Sequence, residues 1–360
     1  MSDLSTLEKI LTDINPSSQK WMDRAKDRTA QLLMPPRALG RLHDISEKVC
    51  GIQEAITPDM AQKAILVMAG DHVVVAEGVS AFPQEVTGAM VSTFLTGGAG
   101  INVLAKQAGA DVWVVDTGII PHLVPEELQN PDRLITQKVA RGTQNFATGP
   151  AMSREEAARS ILVGFEVAEQ VIDSGANILG TGDMGIGNTT PSAAIGAVIT
   201  ITDLDIMVCR GTGVDDAGLE RKRSTIQRGI EVNSPDPTDG LDVLAKVGGF
   251  EIGGIAGCIL AGAYRRKPVV VDGFISTAGA LIAHSICPVT ADFMFAGHIS
   301  AEPGHRPMMH HLGLTPILDL GMRLGEGTGG VMAMMVIESA VSIFRDMATF
   351  DEAGMPGKNG

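Results

Sequence analysis

The 360 residues, 37.6 kDa, suffice for one large domain or two medium ones, and a hydrophobic share of 44% supports a sizeable core. The 43 glycines exceed the usual share of roughly 7% and fall in short clusters between apolar runs, which excludes a low-complexity chain and fits backbone-lined turns. A formal net charge of −14 excludes a general nucleic-acid binder, which needs a basic stripe, but leaves room for a small phosphate ligand held by backbone N–H groups.

Residues 3–55 read as helices. Leu4, Leu7, Ile10, Leu11 and Ile14 repeat at helical spacing, Pro16-Ser17-Ser18 breaks the pattern, and a second helix runs to Leu33. Pro35-Pro36 cannot continue it, and 37–52 reads as a third helix, so a small helical unit precedes the first strand. The apolar run 63–69 reads as a buried strand stopping at Gly70-Asp71-His72. A helix over 101–108 leads into a similar strand over 111–118. Further strands are predicted at 177–180, 206–209, 269–271 and 293–296, with helices over 153–174, 191–199, 218–231 and 254–263. This alternation predicts an α/β fold: a Rossmann-like parallel sheet of about six strands with flanking helices. Ligands in such folds sit at the carboxyl ends of the strands. The turns there are small and polar: Gly70-Asp71-His72, Asp116-Thr117-Gly118, 180–188, Arg210-Gly211-Thr212-Gly213 and Asp272-Gly273. A long apolar helix over 331–347 follows, then a glycine-rich tail.

Cys50, Cys209, Cys258 and Cys287 are far apart with no C-x-x-C, so neither a zinc site nor a disulfide framework is expected. The charged N-terminus lacks a signal-peptide core, and no apolar run approaches the ~18 residues of a membrane span. A cytoplasmic protein without membrane association is the expectation.

The densest motif is Gly180-Thr181-Gly182-Asp183-Met184-Gly185-Ile186-Gly187-Asn188-Thr189-Thr190-Pro191. Glycines at a strand end, followed by threonines and a proline at a helix start, form a phosphate cradle. Its first six residues also match G-x-G-x-x-G, although the helix starts late for a dinucleotide site. In 269–279, Asp272 at a strand end either orients a ribose or neighbouring group or simply caps the strand. His298, His305, His310 and His311 lack metal-ligand spacing and read as loop histidines near an anion. Lys222 follows the Gly211-Thr212-Gly213 turn and is read against the alternative of a solvated helix face. The last motif is Met322-Arg323-Leu324-Gly325-Glu326-Gly327-Thr328-Gly329-Gly330, a single carboxylate among glycines ahead of a helix. There the helix dipole favours its ionised form, and Glu326 is either a general base or a capping acid.

Together these stretches resemble the nicotinate-nucleotide–dimethylbenzimidazole phosphoribosyltransferase family of cobamide (vitamin B12) assembly. The matching stretches, 35–42, 70–79, 182–190, 239–249, 271–274, 298–302 and 322–327, cover nearly the whole chain in order. The most specific are Met-Arg-Leu-Gly-Glu-Gly and Asn-Thr-Thr-Pro.

The resemblance implies transfer of 5-phosphoribosyl from nicotinate mononucleotide to 5,6-dimethylbenzimidazole or a related base. The products are nicotinate and α-ribazole 5′-phosphate, for cobalamin biosynthesis. It implies no cofactor and no metal, because a pyridinium leaves as a neutral ring. It makes Glu326 the general base and puts Asp183 where well-known members carry a Glu. It assigns Gly182, Gly185, Gly187, Asn188, Thr189, Gly211, Gly213 and Ser300 to the ribose-phosphate region, Lys222 and Asp272 to the active site or its surroundings, and Leu324 to substrate binding. In the benzimidazole segment, Phe82 and Met90 stand where familiar members have a Ser and a Gln, which implies altered ring preferences with Ser80 and Gln84 as candidate substitutes. The implied organisation is a catalytic domain over 61–330, a helical domain of 1–60 with 331–352, a mobile tail over 353–360, and a homodimer acting on small molecules. On the residues alone, an NAD(P)-dependent oxidoreductase using 180–185 and a non-catalytic nucleotide-binding protein stay open as alternatives.

Overall fold

The computed structural model describes residues 2–121, 128–211 and 213–356. Among these residues, six strands form one parallel sheet: β1 Lys63–Gly70, β2 Ala110–Gly118, β3 Leu134–Thr136, β4 Ile178–Met184, β5 Val269–Val271 and β6 Met294–Ala296. Their order is β3-β2-β1-β4-β5-β6, and every pairing is parallel. β1 is buried along its whole length. Helices cover both faces, which is why the strand reads as one apolar run with no alternation. The direction of winding reverses between β1 and β4, where Ala69 pairs with Met184. In open α/β sheets that crevice is where ligands bind.

Two expectations about strands are corrected. The run 206–209 is not a strand. Asp203 caps a one-turn helix, Leu204–Met207, by accepting the N–H of Asp205 at 2.7 Å, and Met207 is buried against Gly196 and Gly304. Four apolar residues fit a short buried helix as well as a strand. The sixth strand is instead β3, a three-residue edge strand on β2, too short and too exposed to carry a period.

The helices fall close to their expected places. Arg154–Asp173 starts with the capping box Ser153/Glu156. It packs against Phe250–Tyr264 at backbone contact: a Cβ on Gly164 or Gly257 would collide with main-chain atoms of Gly254 or Ile161. Besides Leu204–Met207, four α-helices among the described residues escaped prediction: Val86–Thr96, Gly240–Val247, Phe274–Ile286 and His305–His311. Phe274–Ile286 is buried nearly all round, so it lacks the amphipathic period that marks a surface helix.

All but the last glycine of the G-x-G-x-x-G match lies within β4 rather than in a strand-to-helix turn, which argues against the dinucleotide reading. Gly180 is a packing residue, because a Cβ there would overlap Ile65 and Met334.

The two ends of the chain meet. Arg28 donates to the carbonyls of Phe344 and Arg345, and Leu33 N–H donates to Ala348. Two stretches do reach the length and hydropathy of a membrane span, contrary to expectation. Val86–Ala108 is broken into two helices at Gly97-Gly98. Thr328–Asp346 is a core helix whose buried face includes Val331, Met334, Ile337, Val341 and Phe344. Of the predicted mobile tail, 357–360 lies outside the described residues.

Candidate functional site

A cavity of about 380 Å³ opens at the carboxyl end of β4, against the crevice between β1 and β4. Six stretches line it: 82–90, 183–189, Gly211, 273–275, 298–302 and 323–326. The sheet thus gathers segments that are up to 244 positions apart (82 to 326). Of the predicted residues, Phe82, Met90, Asp183, Gly185, Asn188, Thr189, Gly211, Ser300, Leu324 and Glu326 line the cavity. Gly182, Gly187, Gly213, Lys222 and Asp272 do not.

Glu326 is buried and left-handed, with φ +63, between Gly325 at +85 and Gly327 at +93. A non-glycine residue in that region is strained, and such strain clusters at functional sites. Three contacts impose the conformation. Asp272, fully buried, accepts the N–H of Gly327 at 3.1 Å and of Gly330 at 2.8 Å, pinning the start of Thr328–Asp346. Gly182 passes so close beneath that a Cβ there would lie 2.5 Å from the Glu326 carbonyl oxygen. The third contact is on the side chain: Oε2 accepts the N–H of Ile101 at 3.0 Å. Oε1 has no hydrogen bond among the described residues. The helix terminus that meets this carboxylate therefore belongs to Gly100–Ala108, not to the helix after Glu326. Burial raises the Glu326 pKa, and the N–H groups of Ile101 and Gly100 only partly oppose it. The expected dipole stabilisation of the ion is outweighed by desolvation.

Asp183 lies beneath Gly325. Burial, then the nearby Asp272 carboxylate, pushes its pKa up to about 8, so at neutral pH it is largely a neutral O–H donor. Asn188 Nδ2 donates to its Oδ2 at 3.0 Å. Asn188 and Thr189 open helix Thr189–Thr200 at the cavity. The Asn188 and Thr190 N–H groups bond the Gly185 and Gly187 carbonyls and Pro191 has none, so this terminus offers an anion the Thr189 N–H and the positive end of the helix dipole. Lys222 is buried behind this turn rather than solvated: its Nζ donates to Thr189 Oγ1 at 2.7 Å and to the Cys209 carbonyl at 3.0 Å. Burial lowers its pKa to about 7. Gly187 is a left-handed packing residue against Val75, and Gly213 is exposed beside Thr212, which lies outside the described residues.

Ser300, Glu302 and Arg323 form the far polar wall. Ser300 Oγ accepts the Glu302 N–H at 3.3 Å, and Arg323 Nη1 donates to the Gly211 carbonyl at 3.3 Å. His298 lines the cavity with Nε2 3.7 Å from Asp272 Oδ1. His305 lies deeper with both ring nitrogens engaged, by the Ser300 N–H and the Thr277 hydroxyl, each at 2.8 Å. Burial drives its pKa down to about 3, so it is neutral. The apolar part of the wall is Phe82, Val86, Met90, Ile186, Ile275 and Leu324. Ser80 and Gln84 do not line it. Ser80 Oγ bonds the backbone of Phe82, and Gln84 donates to the His72 carbonyl.

A family model described as phosphoribosyltransferase matches residues 14–355. The nicotinate-nucleotide–dimethylbenzimidazole phosphoribosyltransferase of Desulforamulus reducens is 52% identical over 354 residues, covering 98% of this chain and 99% of that protein. That of Geobacter sulfurreducens is 50% identical over 352 residues, with 98% and 99% covered. The chain belongs to the nicotinate-nucleotide–dimethylbenzimidazole phosphoribosyltransferase family. The crystal structure of such an enzyme from Thermus thermophilus superposes with a TM-score of 0.88 at 44% identity, covering 94% of this chain and 99% of that one.

Family membership settles the fold and the enzyme class, and removes the oxidoreductase and binding-protein alternatives. The cavity adds residues to which sequence reasoning gave no role, Phe274, Ile275, Glu302 and Arg323, and singles out Val86 and Ile186 within segments already assigned to substrate binding. Arg323 and Glu302 sit within matched motifs, yet neither has a spacing that announces a ligand. Chemically, the cavity offers an anion the start of Thr189–Thr200 and the Arg323 guanidinium, with Lys222 behind the turn. Apolar side chains make up much of the remaining wall, and the buried Glu326 carboxylate lines the same cavity.

Proposed function

We propose that the chain transfers the 5-phosphoribosyl group of nicotinate mononucleotide to a ring nitrogen of 5,6-dimethylbenzimidazole or a related base, giving nicotinate and α-ribazole 5′-phosphate. The observation that carries the reading is Glu326: a strained, buried carboxylate with one oxygen fixed by Ile101 and the other unbonded, on a cavity with both polar and apolar walls. The names of its close relatives support the substrate pair.

In this reading the phosphate sits against the start of Thr189–Thr200 and the Gly211 turn, with Lys222 behind supplying positive charge. The acceptor ring lies along Phe82, Met90 and Leu324. Its unprotonated nitrogen attacks the anomeric carbon opposite the nicotinate, so a β linkage becomes α. The C–N bond to nicotinate breaks, and its electron pair neutralises the pyridinium. The acceptor's other ring nitrogen gives its proton to Glu326, whose fixed Oε2 aligns Oε1 as the base. Asp183 as a neutral acid holds a hydrogen bond donor beside the reacting centre. Asp272 and Gly182 act by shaping the Glu326 loop. The same reading takes the protein as a cytoplasmic homodimer without a resident cofactor, its helical domain built from both chain ends.

The test is a mass-spectrometric assay of ribotide from nicotinate mononucleotide and 5,6-dimethylbenzimidazole, with wild type and Glu326→Gln. Ribotide from wild type, largely lost in the variant, supports both the reaction and the base. Equal ribotide from both moves the proton acceptor elsewhere, with Asp183 next in line. No ribotide with any benzimidazole refutes the reaction.

A further inference from the structure

Glu302 lines the cavity yet takes no part in the chemistry just described. It is nine-tenths buried, at 8% exposed, and its Oε2 is shielded from solvent with no hydrogen-bond partner among the described residues. Leaving a carboxylate oxygen buried without a donor is costly, so the arrangement is complete only when a donor arrives. Burial pushes the Glu302 pKa up to about 7. The Arg323 charge and the Gly211 N–H oppose this, so both groups lie close to the carboxylate. Arg323 also holds the Gly211 carbonyl. Glu302 is thus set in the polar wall of the cavity, between Ser300 and the Gly211 turn.

The chemistry of the donor nucleotide narrows what can satisfy it. The phosphate and the nicotinate carboxylate are anions at neutral pH and repel a carboxylate. The two ribose hydroxyls are the hydrogen-bond donors that remain. We propose that Glu302 accepts a hydrogen bond from a ribose hydroxyl of the bound nucleotide and so selects a ribonucleotide over a deoxyribonucleotide as phosphoribosyl donor. The inference rests on the proposed reaction and names the part of the donor that this residue reads.

The experiment compares kcat/KM for nicotinate mononucleotide and its 2′-deoxy and 3′-deoxy analogues in wild type, Glu302→Gln and Glu302→Ala. Dividing each variant by wild type cancels the intrinsic reactivity of each donor. Glu302→Ala lowers kcat/KM for the ribonucleotide by roughly 10–100-fold, as for loss of a hydrogen bond to a charged group. For the analogue that lacks the contacted hydroxyl it lowers it less than about threefold. Glu302→Gln, which keeps the shape and an acceptor oxygen without the charge, falls between and carries the comparison if the alanine variant does not fold. An equal loss on all three donors would mean that Glu302 only props the Gly211 turn, and overturns the proposal. Ribotide from wild type without such coupling defeats the hydroxyl contact alone, whereas no ribotide from wild type defeats the reaction as well.

Discussion

The backbone N–H of Ile101 donates to Oε2 of Glu326 at 3.0 Å across 225 positions of sequence. Gly100–Ala108 thus aims its N-terminus at the carboxylate, while burial holds the Glu326 pKa above that of an ordinary glutamate. A base with a raised pKa works only above it. Activity is therefore lost as pH falls through the Glu326 pKa, and this acid limb lies above the roughly 4.3 of a free glutamate. Glu326→Gln lowers kcat by about 10²–10⁴-fold and removes that limb. A pH–rate profile of both proteins checks this, and an acid limb retained in the variant would assign it to another group.

Gly182→Ala tests whether the base is held from below. The added methyl meets the Glu326 carbonyl at 2.5 Å, a main-chain atom that cannot swing aside. The expected result is a loss of at least about a hundredfold in kcat, since a displacement near 1 Å has that effect, with destabilisation of about 1–3 kcal/mol. Near-normal kcat with a raised KM for the nucleotide would instead make Gly182 a ligand contact.

Legibility in the sequence followed the range of the interactions involved. β1 declares itself through one unbroken buried run, and the Arg154–Asp173 helix through its capping box, because both signals are local. The Glu326 loop was legible as a carboxylate among glycines ahead of a helix. Its tether to Ile101 was not, since nothing local at Ile101 marks it, and neither was its burial, whose desolvation raises the pKa that the helix dipole was expected to hold down. Lys222 reads as one charge in a basic run, and only the packing of its helix over Thr189 shows it to be buried. The short run 206–209 was misread because four apolar residues carry no period.

Asp183 links the site to stability. Its folded pKa, about 8, exceeds the roughly 3.9 of a free aspartate. A carboxyl raised in this way stabilises the fold fully below its unfolded pKa, and that contribution is lost as pH rises through the folded value. Wild type therefore becomes less stable relative to Asp183→Asn between about pH 4 and pH 8, with no further change above. Thermal midpoints of the two proteins across that window check the sign. A difference that does not vary with pH would show that Asp183 is ionised throughout.

Lys222 is buried, bonded to Thr189 Oγ1 and the Cys209 carbonyl, and lowered by burial to about 7. A phosphate at the adjoining helix terminus favours the ammonium form. Nucleotide affinity accordingly falls as pH rises through 7, and Lys222→Met abolishes that dependence while raising the nucleotide KM by roughly 10–100-fold. Calorimetric titration with nicotinate mononucleotide at pH 6.5 and 8.5 reads both effects. A variant that keeps the pH dependence assigns it to another group.

In the proposed reaction the apolar wall of the cavity selects the acceptor. Phe82, half-exposed at the rim, Val86 and Met90 offer the ring dispersion contacts and no hydrogen-bonding side chain, while Ser80 and Gln84 are occupied by backbone. Such a wall reads ring methyls by burial, at roughly 0.8 kcal/mol each, so two methyls favour 5,6-dimethylbenzimidazole over benzimidazole by about tenfold in kcat/KM. Phe82→Ser and Met90→Gln shrink that ratio toward unity and leave the KM for nicotinate mononucleotide unchanged, because the proposed nucleotide position lies against Thr189 and the Gly211 turn and not against these two side chains. Competition between the two bases for one nucleotide pool, read by mass spectrometry, measures the ratio directly. A ratio that survives both substitutions would show that the ring methyls are read by cavity residues other than Phe82 and Met90.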